Sequence, residues 1–301
     1  VIAMLTDYHV HLRPDEVDAV AADHFTVYNV AAYRRAADER GIEELGVSEH
    51  MYRFRQASNV WHHPLWGLYA TDDLDAYCAF IKEKTTLKLG IEADFIPGRE
   101  RAIERLLEGR PFDYVIGSVH FMPTFLDEYD PEDPLTFGAI DHEQFLIWRR
   151  RRGVEEIWET YFRTLEAAAR SGLFDIIAHP DLIKLFGPRP LPPHERFYGP
   201  FLEALRDTNT AVEISTAGLR KRVRELYPSG ELLRAIAEAQ LPVALSSDAH
   251  RPHEVGHEYD AVLELFDRLG IDQLSVFSER RRTQVPLPRP STAPDYGGEG
   301  A

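Results

Sequence analysis

Residues 4–11 read MLTDYHVH, and residues 243–250 read VALSSDAH. Each is a short, largely apolar run that breaks off in ionisable residues, His9 and His11 in the first and Asp248 and His250 in the second. Five further stretches share the pattern. Leu45–Ser48 is followed by Glu49 and His50, Leu87–Phe95 contains Glu92 and Asp94, and Tyr114–Val119 is followed by His120. Asp175–Ala178 is followed by His179, and Ala211–Ser215 ends in Ser215 and Thr216. Runs of this length and composition read as strands. Segments with helical periodicity separate them: Val30–Arg40, Glu100–Glu108, Val154–Ser171, Phe201–Asp207, Glu231–Gln240 and Glu254–Leu269. Strands alternating with helices give a parallel sheet with covered faces. An open doubly wound sheet gathers ligands at one switch point, whereas a closed barrel brings every carboxyl strand end to one mouth. Nearly every strand here ends in a polar residue of unusual type. The expected fold is therefore α/β, a distorted seven-stranded (β/α)7 TIM-like barrel with its active site at the C-terminal ends of the strands.

Two insertions interrupt the alternation, Met51–Thr71 with His62 and His63, and Phe121–Gly153 with the acidic stretch LDEYDPEDP. Both follow strand ends, so both are expected to overhang the mouth and shape access to it. Residues 1–282 read as one domain. The tail 283–301, rich in Pro and Gly, is expected to be disordered. The single cysteine, Cys78, falls in a helix-like segment and reads as packing.

The formal charge of −16 opposes binding of long nucleic acid, and the one strong basic run, Arg149–Arg152, reads as a solvated face or a contact to an anionic ligand. No run approaches the roughly 18 consecutive apolar residues of a membrane span, and the first residues lack the pattern of a signal peptide. A cytoplasmic protein without a membrane partner is the expectation. Oligomeric state is not legible.

Six of the 13 histidines, His9, His11, His50, His120, His179 and His250, stand at expected strand ends. Imidazole and carboxylate are ligands for zinc, iron and manganese, and a His-x-His spacing turns alternate strand residues to one side. Six imidazoles with Glu92 and Asp248 exceed what one tetrahedral ion uses, so more than one metal is implied. A carboxylate such as Glu92 or Asp248 bridges adjacent cations, which imidazole does not do. Paired metals make hydroxide from water and clamp a phosphoryl group in line. Phosphoester hydrolysis is the chemistry expected, with amide or amine hydrolysis on a barrel metal site as its competitor.

The segments DYHVH, GVSEH, GIEADF, GSVHF, AHPDLIKLFG, STAGLRK and SSDAH, in that order, resemble the polymerase and histidinol phosphatase (PHP) family, specifically its histidinol-phosphate phosphatase branch. The resemblance runs from about Leu5 to about His257. It implies a distorted seven-stranded barrel with two to three divalent metal ions, zinc, iron or manganese. One metal would take His9, His11, Glu92 and Asp248, with Glu92 bridging to a second held by His120 and His179. A third would take His50 and His250. Family members complete that site with a His or Asp shortly after the His-x-His; Asp15 is the choice here, with Glu16 behind it. Arg220 and Lys184 stand just beyond strand ends in motifs where the branch has basic residues, and are expected to bind phosphate. Ser215 and Thr216 are candidates for hydrogen bonds to the substrate or for capping the next helix.

The implied activity is that of a phosphoric monoester hydrolase in histidine biosynthesis, releasing phosphate from L-histidinol phosphate by attack of a metal-bridging hydroxide. Glu92 and Asp248 would be catalytic, and Asp15 is a candidate proton donor to the departing alkoxide. Glu49, Asp94 and the acidic stretch Asp127–Asp133 are candidates for the amine and imidazole of such a substrate. The alternatives are a phosphatase or phosphodiesterase of the same family acting on nucleotides or another small phosphate ester, and a metal-binding module that regulates a partner.

Overall fold

In the computed structural model, which describes residues 2–125, 128–142, 152–187 and 189–288, eleven strands are present. They are β1 (Thr6–Asp7), β2 (Glu44–His50), β3 (Lys88–Asp94), β4 (Ile116–Ser118), β5 (Phe121–Pro123), β6 (Phe137–Ala139), β7 (Ile176–Ile177), β8 (Ala211–Ser215), β9 (Val243–Ser246), β10 (Gln273–Ser278) and β11 (Arg281–Pro286). Seven of them form one parallel sheet in the order β1-β2-β3-β4-β7-β8-β9. Each overlaps one of the seven stretches read from sequence. The sheet closes through a parallel bridge between Val10 and Ala249, where His11 N donates to Ala249 O at 2.8 Å and Ala249 N to His9 O at 3.3 Å. The barrel is thus seven-stranded. Two of its strands, β1 and β7, are only two residues long, which is where it departs from a regular cylinder.

Below the strand ends the barrel is filled by an apolar cluster of Tyr8, Tyr114, Ile116, Ile176, Ala178, Ala211, Ala244 and Phe277. The Tyr114 side chain lies over Gly46 and Gly90, where an added Cβ would stand 2.3 Å from its hydroxyl and from its ring respectively, and its Oη donates to Tyr8 O at 2.5 Å. Glycine at these two strand positions is what admits a ring into so narrow a barrel. The same inward rows carry Glu92, Glu213 and Ser246 one step higher, so the interior changes from apolar to charged within one side-chain layer. Outside, the helix Val154–Arg170 turns Ile157, Trp158, Tyr161, Phe162 and Leu165 inward, as its period requires.

Three features escaped the pattern. The helix read as Phe201–Asp207 begins at Glu195, because Pro200 removes one donor from its second turn without ending it. Insertion residues form the small antiparallel hairpin β5–β6. Strand β11 pairs with β10 and buries Val285, so the ordered chain runs past Arg282 into the segment expected to be loose. Thr283, Gln284 and Val285 are acceptable strand residues; the prolines that follow concealed them. Residues 289–301 lie outside the described residues, as do Arg149–Arg151 and Asp127. Cys78 is buried in the helix Leu74–Lys84, as packing requires.

Candidate active site

All six strand-end histidines converge on the mouth, around the buried carboxylate of Glu92. Its Oε2 lies 3.2 Å from His9 Nε2, 3.6 Å from His11 Nε2 and 2.5 Å from His50 Nδ1. Its Oε1 lies 3.4 Å from His120 Nε2 and 3.1 Å from His179 Nε2. Asp248 Oδ1 stands 3.8, 3.5 and 3.6 Å from His9 Nε2, His11 Nε2 and His250 Nδ1. Donors bound to one cation at about 2.1 Å in tetrahedral geometry are separated by about 3.4 Å, the spacing found here. Four overlapping sets of three ligand atoms lie close enough to share an ion: His9, His11 and Asp248; His9, Glu92 and His179; His50, Glu92 and His120; and His11, His50 and His250. His9 Nε2, both ring nitrogens of His11, Glu92 Oε2 and His250 Nε2 are buried without a hydrogen-bond partner among the described residues. Buried polar atoms are rarely left so, and lone pairs turned toward one another are satisfied together by a cation. The donor set therefore fits divalent metal.

Electrostatics agree. Burial works to protonate Glu92 and Asp248, but His50, His9 and His120 hold the first well below the usual carboxylate range, and His9 and His11 do so for the second. Burial, His250 and His50 push the His11 pKa well below normal, so its ring offers a lone pair. His120 is opposed by burial yet raised to about 10 by Glu92 and Asp94. Cations and protons compete for such imidazoles.

Two carboxylates orient this cluster: Glu213, which was not read as a site residue, and Asp94, which was read as a candidate for the substrate's amine or imidazole. Glu213, on β8, accepts from His9 Nδ1 at 2.6 Å, from His179 N at 2.7 Å and from Ser246 Oγ at 2.7 Å. A proton on His9 Nδ1 leaves Nε2 free to face Glu92 and Asp248. His179 has φ 24° and Asp248 φ 50°, a region costly for most residues; the bond to Glu213 and the Arg220 bonds to Ser247 O and Asp248 O, both 2.9 Å, hold them there. Asp94 does for His120 what Glu213 does for His9, at 2.8 Å from Nδ1.

A PHP domain model matches residues 22–217, about two thirds of the chain. The chain belongs to the PHP family. Among relatives of this PHP protein, a Deinococcus radiodurans protein named "Probable histidinol-phosphatase" is 35% identical over 243 residues, spanning 78% of this chain and 85% of that one. The Bacillus subtilis histidinol-phosphatase is 27% identical over 191 residues, 60% of this chain and 69% of its own. The crystal structure of the Lactococcus lactis histidinol phosphate phosphatase, complexed with zinc, L-histidinol and phosphate, superposes with a TM-score of 0.65 over 94% of this chain and all of that one. At 19% identity it is the PHP fold that the two share.

Above the cluster the PHP barrel opens into a cavity of about 670 Å³. Both insertions line it, Tyr52, Trp66 and Tyr69 from the first and Phe121, Ala139 and Asp141 from the second, as their positions after strand ends implied. His62 and His63 are not part of it: His63 stacks on Trp61 and starts the helix Pro64–Tyr69.

Several expected roles are corrected. Lys184 is buried; its Nζ donates to Asp181 Oδ2 at 2.8 Å and Leu226 O at 2.5 Å and lies over the Tyr227 ring, so it is spent within the wall and does not reach the cavity. Ser215 is fully buried and its Oγ accepts from Ala217 N at 3.3 Å, while the helix Ala217–Arg220 has Thr216 as its cap residue and no side-chain capping bond. Thr216 is likewise buried, beside Ser246 O. Glu49 points away from the mouth to accept from Leu12 N, Arg13 N and Arg53, and Asp94 is engaged by His120, so neither lines the cavity. Glu16 pairs with Arg251 at the surface. Asp15 Oδ2 is 3.1 Å from His250 Nε2, its Oδ1 is 3.6 Å from His50 Nε2, and it accepts from Arg53 at 2.6 Å. Against desolvation, His250 and His50 keep its carboxyl well below the usual range. A carboxylate placed between His250, His50 and Arg53 suits a ligand.

No helix among the described residues is long and apolar enough to cross a membrane.

Proposed function

We propose that this protein is a metal-dependent phosphomonoesterase that hydrolyses L-histidinol phosphate to L-histidinol and phosphate. The observation that carries the chemistry is the convergence of six imidazoles on Glu92 and Asp248 at the floor of a cavity large enough for a small ester. The named histidinol-phosphatases among its relatives carry the substrate.

The residues that would hold metal are His9, His11, Glu92 and Asp248 for one ion, Glu92, His120 and His179 for a second, and His50, His250 and Asp15 for a third. Zinc, iron and manganese all suit this set, and when bound they supply a nucleophile at neutral pH and take up charge on the phosphoryl oxygens. Glu92, with one oxygen facing His9, His11 and His50 and the other facing His120 and His179, would be the bridging group. The anionic state of the buried Glu92 and the half-buried Asp248 keeps them acceptors, which would be their catalytic contribution.

Arg220 is the phosphate-binding cation in this reading. Its Nη2 steadies the Ser247 and Asp248 carbonyls and its Nε lies 3.5 Å from Glu254, but Nη1 has no partner among the described residues and the side chain lines the cavity. Arg220→Ala is expected to raise KM for phosphate esters by about tenfold or more, the value of a charge-assisted hydrogen bond, with a smaller change in metal content. An unchanged KM removes the role.

The substrate is tested by kcat/KM for phosphate release from L-histidinol phosphate beside AMP and p-nitrophenyl phosphate, on enzyme loaded separately with manganese, zinc and iron. A preference of about a hundredfold for L-histidinol phosphate, more than two well-placed polar contacts supply, is the expected outcome. Equal slow rates on all three would keep the hydrolysis and overturn the substrate.

A further inference from the structure

The cavity is charged oppositely on different walls. Arg220, Lys221 and Arg222 line it in succession, and the charge of Lys221 bears on Asp248. Another wall is acidic and aromatic. The β5–β6 hairpin carries Asp141 there: Ala139 pairs with Phe121, and Ile140 N donates to His120 O at 2.8 Å. Asp141 is thereby fixed one residue beyond a bond to the metal-site strand end. Its charge bears on Tyr52, Tyr69, His120 and Tyr227, and among the described residues it has no ion pair or hydrogen bond of its own. Tyr52 and Tyr69 stand edge to face at 5.4 Å, and Tyr52 stacks on His50 at 4.7 Å, which fixes both rings beside the metal-site cluster.

We infer that Asp141, with the ring faces of Tyr52 and Tyr69, binds the ammonium group of the substrate and so selects amino-alcohol phosphates over other phosphate monoesters. This rests on the function proposed above. A carboxylate and electron-rich ring faces attract a cation. The phosphate end of the same molecule is drawn to Arg220 and the histidine cluster, so one substrate spans the opposed charges. A phosphate ester with a neutral alcohol has nothing to offer Asp141.

The test is Asp141→Asn, assayed on metal-loaded enzyme with L-histidinol phosphate and p-nitrophenyl phosphate, together with inhibition by L-histidinol and by inorganic phosphate. Asp141 is exposed, so the substitution leaves the fold alone. Loss of the charge-assisted contact is expected to lower kcat/KM for L-histidinol phosphate about 10- to 100-fold, mainly through KM, and to weaken inhibition by L-histidinol in parallel. Turnover of p-nitrophenyl phosphate and inhibition by phosphate should stay within about twofold. Equal losses on both esters, or no loss on either, would overturn the inference. Failure of the proposed function looks different: wild-type enzyme would turn over p-nitrophenyl phosphate without preferring L-histidinol phosphate, and both statements would fall.

Discussion

Asp248→Asn is expected to cut kcat/KM by more than the roughly 10- to 100-fold that loss of a partner outside the metal's own ligands costs, while leaving the melting temperature almost unchanged. Asp248 Oδ1 faces His9, His11 and His250 at 3.5 to 3.8 Å, so among the described residues it is the one carboxylate oxygen placed between the His-x-His pair and His250. The amide that replaces it has no charge to set against a cation, and one of its two polar atoms is a donor. The choice of Asn follows from the backbone. At φ 50° the chain is left-handed, where Asn and Asp are the non-glycine residues that fit best, and the peptide oxygen still accepts from Arg220. Alanine there would mix backbone strain with the loss of the ligand. His120→Ala, which removes a donor from the Glu92 Oε1 side, serves as the companion variant. The measurement is kcat/KM with metal per chain after dialysis and the thermal midpoint. More than a few per cent of activity in both variants would sink the metal mechanism. A collapse of the midpoint would instead make Asp248 a folding residue.

How far the sequence carried this site depends on what each residue needs to be recognised. The seven strands and the eight residues grouped on Glu92 and Asp248 were legible because an apolar run that stops at an ionisable residue marks both the strand and its end. Direction was harder. Glu49 and His50 are neighbours at the end of β2, and strand alternation sends one into the mouth and the other to Arg53 and the backbone of Leu12 and Arg13. Lys184 was misplaced for a different reason: a cation just past a strand end looks available until its acceptors are known, and one of them, Leu226 O, comes from 42 residues away. Glu213 was missed because it sits two residues short of the end of β8, inside AVEIS. A lone carboxylate in a run otherwise buried and apolar was the signal available, since burial of an unpaired charge is prohibitive. Asp141 had no signal at all, as its place depends on how the insertion folds back on β5.

Glu213 carries the second large effect. Glu213→Gln is expected to weaken metal retention and kcat/KM about 10- to 100-fold, although no part of Glu213 lies among the donor atoms grouped around a common centre. All three of its partners are donors: the His9 ring, the His179 peptide and the Ser246 hydroxyl. A carboxylate accepts from all three with two oxygens. A glutamine keeps one oxygen and turns an NH2 toward the donors that the other served, so either the His9 tautomer or the strained His179 backbone loses its support. If the His9 ring gives way, its proton moves to Nε2 and the lone pair leaves the site; if His179 relaxes from φ 24°, its Nε2 moves from the 3.1 Å contact with Glu92. Either route loosens a ligand without removing one. The discriminating readout is the chelator concentration that strips metal, followed beside the thermal midpoint of the metal-free protein. Faster stripping with a midpoint lowered by no more than the loss of one buried hydrogen bond, about 1–3 kcal/mol, is the result that a positioning role requires. A lower midpoint with unchanged metal retention would make Glu213 a core residue that happens to lie beneath the site.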